Sequence, residues 1–244
     1  MLPQSQEGTP ARSETDRRQE RAERILDAAA TLILRWGYNK TTIEDIARQA
    51  GVAKGTIYLH WKTREDLFAA LMLREKLALG AAIRQALTAD PAAATLRGLL
   101  KESARALLQR PLMKAVLLRD TAVLGKLAQT EHSKAAYAEQ VAGFTAYLEV
   151  LRAQGLVRRD LSLPAQVYVL SAVFAGFFLV APFLPDAFVP DDEALADLLA
   201  ETIHRALEPE PAAPTAELQT AAHLLLEYLN RSMTEAQAQL QQAV

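Results

Sequence analysis

Apolar residues recur along this chain at intervals of three and four almost from end to end, the spacing of helices with one covered face, and no stretch alternates in the manner of a strand. Ile25, Ala28, Ala29, Leu32 and Ile33 predict a first helix over Arg17–Trp36 that Gly37 stops. Ile43, Ile46 and Ala50 share one face of a second, short helix. Thr42 stands where its hydroxyl caps that helix, with Asp45 three residues on as the reciprocal acceptor. Gly51 ends it in a left-handed turn, and Val52 packs back beneath. A third helix starts at Ala53 or Lys54. On it Ile57 and Trp61 face inward, Gly55, Leu59 and Lys62 lie roughly opposite, and Thr56 and Tyr58 occupy the flanks.

Beyond Glu65 the pattern predicts a helix to about Leu87, broken by Asp90 and Pro91, then helices near 92–109, 112–118 and 134–154. Pro111, the Gly125 region and Gly155 are boundaries. Region 119–133 reads less clearly, with a short helix around Leu124 and Leu127. Val167–Leu184 carries no charge over eighteen residues and on its own is a minimal membrane-span candidate. Pro182 near its end, Asp186 and Asp191 just after it, and the lack of a second span favour a buried helix. A helix apolar all round needs cover on every side, and one way to provide it is its own domain on one side and an identical subunit on the other. A partner helix follows over 191–207, with Leu195, Leu198, Leu199, Ile203 and Ala206 on one stripe. The spacer Glu208–Pro214 cannot continue it. Leu218, Ala222, Leu225, Leu229, Met233, Ala236 and Leu240 then mark a final amphipathic helix that folds back on its own subunit, clasps a partner subunit or recruits another protein, with folding onto the dimer the favoured expectation.

The two short helices at 43–61 form a helix-turn-helix, the arrangement that places one helix in the DNA major groove. Gly55 permits close approach to a backbone, while Lys54, Lys62 and Arg64 surround the outward face with positive charge. Leu59, an exposed leucine on a polar face, is of the right chemistry to meet a thymine methyl. Thr42, Ile46, Ala47, Ala50, Gly51, Val52, Gly55, Thr56, Tyr58, His60, Trp61, Arg64 and Leu67 together resemble the DNA-binding signature of the tetracycline-repressor (TetR) family. Two departures stand out. Ala53 replaces the capping serine common in that family, and Arg64 replaces the usual lysine with retention of charge.

The resemblance covers about residues 20–70 and implies an all-α protein: an N-terminal three-helix DNA-binding domain, followed by a helical ligand-binding and dimerisation domain. The expected division is a flexible arm at 1–16, the DNA-binding domain at 17–64, the effector-binding and dimerisation domain at 65–207, a proline-rich spacer at 208–215 and the additional helix at 216–244. Thr56, Tyr58, Leu59 and Lys54, with Gly55, are expected at bases or their immediate backbone, and Thr42, His60, Lys62 and Arg64 at phosphates. Arg12 in the arm and Arg17 and Arg18 just after it are further candidates for the DNA backbone, an adjacent minor groove or solvent, and Tyr38 and Lys40 of the loop after the first helix for phosphate or solvent. The resemblance also implies a cavity among the middle helices, with Met113, Leu117, Tyr137, Phe144, Tyr147, Phe174, Phe177 and Phe178 as candidate walls for an apolar or amphipathic effector.

Composition limits the alternatives. The absence of cysteine removes disulfides, thiolate nucleophiles and cysteine-ligated metals, and His60, His132, His204 and His223 fall on separate segments without metal-ligand spacing. No phosphate-binding glycine loop or nucleophile elbow occurs, so neither an enzyme nor a cofactor is expected. Net charge is −2 overall, yet residues 1–64 hold 11 basic against 8 acidic residues and carry +3, leaving −5 for the remainder. The sign of that asymmetry suits DNA contact by the N-terminal part. The expectation is a cytoplasmic, homodimeric repressor that binds a palindromic operator in double-stranded DNA and is released by a small molecule. A regulator of the same kind without an effector, and a membrane-tethered protein, are the competing readings.

Overall fold

The computed structural model describes residues 14–129, 131–209 and 215–243. All regular elements among the described residues are helical. Arg12 and most of the expected arm, and most of the proline-rich spacer, lie outside them.

Three helices form the N-terminal unit: α1 over Glu14–Trp36, α2 over Ile43–Ala50 and α3 over Lys54–Tyr58. The first begins three residues earlier than the hydrophobic pattern suggests, because Glu14 and Asp16 suit the amino end of a helix. Helix α2 has the anticipated ends. The Thr42 hydroxyl accepts from the Asp45 N–H at 3.2 Å, and the Asp45 carboxylate accepts from the Thr42 N–H in return. Gly51 sits at φ 66°, and the Val52 N–H reaches back to the Ala47 carbonyl at 3.0 Å. The long helix α4, Arg64–Ala89, opens on a second capping box, Thr63 with Asp66.

Helices α5 (Leu96–Leu108), α6 (Pro111–Leu117), α7 (Thr121–Leu124), α8 (Glu131–Ala153), α9 (Leu163–Leu179), α10 (Asp192–Leu207) and α11 (Thr215–Ala243) complete the chain. Asp90 caps the 3-10 turn Pro91–Ala94, and Gly155 at φ 72° closes α8 through a Leu156 N–H bond to the Leu151 carbonyl. The region at 119–133 contains α7 and the 3-10 segment Gly125–Gln129.

Two apolar cores organise these helices. One joins Ile83, Leu87, Leu99, Leu148, Leu151, Leu170, Leu199 and Ile203 with Ala221, Ala222 and Leu225. Helices α5 and α10 flank it, linked by ion pairs from Arg105 to Glu193 and from Lys101 to Asp197. The second core gathers Ile25, Leu26, Ile33, Ile46, Ile57, Trp61, Leu67, Phe68 and Leu71. It does not stop at the end of the three-helix unit. Leu112, Ala115, Leu124, Ala128 and Leu240 belong to it as well, so α6, α7 and α11 all contribute. Gly37, at φ 79°, shows how close this packing is, since a Cβ there would lie 2.4 Å from the Ala122 carbonyl oxygen.

The uncharged stretch Val167–Leu184 is only partly α9, and no helix among the described residues is long and apolar enough to cross a membrane. One side of α9 packs through Leu170 and Phe178, while Tyr168 is 77% and Phe183 83% exposed in the single chain. Helix α11 folds along α4 and onto the turn at Pro91–Ala94 of its own chain.

Candidate nucleic-acid interface

The geometry at residues 37–66 begins with burial. Ile57 and Trp61 are almost wholly enclosed and anchor α3 to α1 and α2. Helix α3 is short. Its last turn passes into a tighter one, in which the Ile57 carbonyl accepts from both His60 N–H (3.0 Å) and Trp61 N–H (2.9 Å). Because Ile57 and Trp61 are fixed inward, Lys54, Gly55, Tyr58, Leu59 and Lys62 emerge together on the opposite side, with Thr56 half-buried at its edge. Leu59 is 74% exposed, more than Leu34, Trp36 or Tyr58 in the same unit. Gly55 has open space where a Cβ would stand. The outward set expected from spacing is therefore brought together.

The charges on this face already have protein partners of differing strength. Lys54 pairs with Glu44 across the turn and lies 5.9 Å from the Tyr58 ring centre. The Glu44 carboxyl is held below its ordinary range by that lysine. Both groups are exposed, so the pair is readily exchanged for another anion. Thr42 is exposed, but its hydroxyl is engaged in the α2 cap with Asp45.

Arg64, His60 and Tyr38 are placed differently from what the sequence suggests. The Arg64 guanidinium stacks over Tyr38, 4.2 Å from the ring centre, and donates to the Thr41 carbonyl at 3.2 Å. Tyr38 is buried rather than offered to solvent or phosphate. Its ring meets Phe68 edge-on at 4.6 Å and its hydroxyl donates to Glu65 at 2.9 Å. Burial, and then the bond to Glu65, raise its pKa. His60 is only 8% exposed, with its ring 5.3 Å from that of Trp61. Its Nδ1 and the Trp61 Nε1 are buried and have no hydrogen-bond partner among the described residues. Burial first, and then the positive charges of Arg18 and Arg21, lower the His60 pKa and favour the neutral ring. Lys40 remains exposed. The Tyr38–Arg64–Glu65 cluster joins residues far apart in sequence, and no periodicity announces it.

The expected effector walls mostly enter the larger core. Tyr147 is buried and its hydroxyl donates to the Ala94 carbonyl at 2.5 Å, with its pKa raised by burial. Phe178 is buried against Phe174 at 5.3 Å, and Met113, Leu117, Phe144 and Phe177 pack beside them half-buried. The side chain of Tyr137 lies outside the described set. An apolar groove of about 460 Å³ does open between α8 and α9, lined by Val141, Thr145, Leu163, Pro164, Val167, Tyr168 and Ser171. None of the expected wall residues is among them. Among the described residues no group of three or more histidine, aspartate or glutamate side chains could hold a metal ion.

Residues 25–71 match the family described as bacterial regulatory proteins, tetR family. The fatty acid metabolism regulator protein of Bacillus subtilis (strain 168) is 47% identical over 53 residues, 22% of this chain and 27% of that protein. The HTH-type transcriptional regulator AcrR of Shigella flexneri is 41% identical over 58 residues, 24% of this chain and 27% of its own length. This chain thus spans about a quarter of the length of those relatives. Among solved structures, a SmeT–triclosan complex superposes with a TM-score of 0.62 at 23% identity, covering 79% of this chain and 94% of that one. NalD of Pseudomonas aeruginosa, described as the secondary repressor of a multidrug efflux pump, gives 0.58 at 23% identity over 79% and 98% of the two chains. At these identities the structural likeness speaks to the fold.

Proposed function

We propose that this chain, a member of the tetR family of bacterial regulatory proteins through its residues 25–71, is a homodimeric repressor that binds a palindromic operator and is released by an apolar or amphipathic small molecule. The observation that carries the DNA-binding part is the single outward face of Lys54, Gly55, Tyr58, Leu59 and Lys62, held rigid by the buried Ile57 and Trp61. On this reading Lys54, Thr56, Tyr58 and Leu59 meet bases or their immediate backbone, and Gly55 lets the helix approach. Lys62 supplies a mobile phosphate contact. Arg64 and Thr42 present phosphate contacts from fixed positions, while the neutral His60 ring supports Trp61 from inside the unit.

The dimer part is supported by α9, whose Tyr168 and Leu179 remain exposed in a single chain, together with Leu198 on the neighbouring α10. A second copy related by a two-fold axis covers such a face isologously and sets two reading heads on two half-sites. Effector release requires a ligand that binds one arrangement of the heads better than another. The apolar groove between α8 and α9 is the candidate entry for that ligand.

A second reading, a regulator of the same kind without an effector, is favoured by the burial of Tyr147 and Phe178 in the middle of the helical core. One experiment separates the two. The purified chain is used to select sequences from random double-stranded DNA, and the selected DNA is then challenged with a panel of apolar and amphipathic compounds that includes triclosan. Enrichment of an inverted repeat, followed by compounds that both raise the melting temperature and release the DNA, is the expected result. Enrichment without any such compound supports the second reading, and no enrichment overturns both.

A further inference from the structure

Helix α11 is amphipathic along its whole length, and its apolar stripe does not stay within one core. Ala221, Ala222 and Leu225 near its start belong to the core that contains Ile83, Leu87 and Ala94. Leu240 near its end belongs to the core that contains Trp61, Leu67 and Leu71. Between them Met233 lies against Gly80 of α4, where an added Cβ would come within 3.3 Å of the Met233 Cγ. The order of these contacts runs α11 antiparallel to α4. A helix of this length extends about 44 Å, so it matches the roughly 39 Å of α4. A second tie crosses to α8, where a Cβ on Gly143 would overlap the Tyr228 hydroxyl.

Helix α4 by itself is the covalent link between the reading head and the larger core, and a lone helix bends easily. Helices α6 and α7 also pack on the head through Leu112, Ala115 and Leu124, and pairing α4 with an antiparallel helix anchored at both ends stiffens the link further, because the head then cannot turn about α4 without pulling Leu240 or Leu225 from its core. We infer that α11 is a brace that couples the reading head of its own subunit to the helical core, transmitting changes in packing around Leu225 to the head through Leu240. The coupling is a property of the free protein and depends on no particular DNA or ligand.

The chain's two tryptophans, Trp36 and Trp61, both lie in the head, so their fluorescence reports head unfolding while far-ultraviolet circular dichroism reports all helices. The test is a cycle of thermal melts on the full chain: wild type, Leu225→Ala, Leu240→Ala and the double variant. Leu225 does not belong to the head core, yet Leu225→Ala is expected to lower the tryptophan midpoint by about 4 °C or more. In the Leu240→Ala background the same substitution is expected to move that midpoint by less than half as much. An equal shift in both backgrounds, or no shift of the tryptophan signal in either, would overturn the brace. Should Leu225→Ala fail to fold, Ala222→Gly is a milder lesion on the same stripe and enters the same cycle. Because no DNA or effector is present, the result stands apart from whether the chain is a ligand-released repressor.

Discussion

The Arg64 guanidinium carbon lies over the Tyr38 ring, 4.2 Å from its centre, at the junction between the N-terminal three-helix unit and α4. The same arginine bonds the Thr41 carbonyl, and the Tyr38 hydroxyl bonds Glu65, so one cluster fixes the loop after α1 onto the start of α4. Arg64→Ala removes the stack and leaves the carbonyl without its donor. The expected loss is about 1–2 kcal/mol in urea unfolding followed by tryptophan fluorescence. Arg64→Lys keeps the charge but not the planar stack, and is expected to recover less than half of that loss. An unchanged unfolding midpoint in Arg64→Ala would show that the cluster contributes no stability.

Ala53 precedes α3 with extended backbone, φ −71° and ψ 147°, and no side-chain cap. That backbone already suits a capping residue. Ala53→Ser is expected to stabilise the head by roughly 0.5–1 kcal/mol, whereas Thr42→Ala, which removes an existing capping box, costs about 1 kcal/mol. Chemical denaturation of the two variants side by side checks both signs.

Lys62 is exposed just beyond α3, on the same outward face as Lys54. Lys62→Ala is expected to weaken binding to specific and random DNA alike and to reduce the dependence of log K on log salt by about 1 per subunit. Leu59→Ala is expected instead to weaken the selected sequence while leaving the salt slope unaltered, since no charge is lost. Fluorescence anisotropy across a salt series distinguishes them.

His60 provides a pH test. Its pKa in the folded chain is depressed, mainly by burial and further by Arg18 and Arg21, so the unfolded chain binds the proton more readily. Stability is therefore complete above the unfolded value of about 6.5 and declines as pH falls below it toward the folded pKa. His60→Gln cannot take up that proton, and its head stability is expected to vary less with pH across this window. Thermal melts read by tryptophan fluorescence at several pH values give the comparison, and identical pH profiles would remove His60 as the cause.

A charge placed on the exposed side of α9 tests the dimer. Tyr168→Asp puts an ionised group at a position that is 77% exposed in the single chain and leaves Leu170 and Phe178 packed beneath. On the homodimer proposal, sedimentation is expected to show a dimer for the unaltered chain and a folded monomer for the variant, with DNA affinity reduced accordingly. Retention of the dimer would place the interface elsewhere.

Local signals specify much of the N-terminal three-helix unit. Thr42 with Asp45, Gly51 followed by Val52, and Ile57 four residues before Trp61 each specify a cap, a stop or an inward face from neighbours within a few positions, and such short-range geometry depends little on the rest of the fold. The helical character of the chain and the outward set at Lys54–Lys62 follow from the same periodicity. Tertiary structure alone decided the rest. Tyr38 is buried because Phe68, Arg64 and Glu65 converge on it, and Gly37 is hemmed in by the Ala122 carbonyl. Leu240 enters the head core from the far end of the chain, and the aromatic residues of the middle helices fill a core while a groove opens beside them. Spacing along a helix states which residues share a face. It does not state which other face they meet, because that choice belongs to contacts between segments that the sequence keeps far apart.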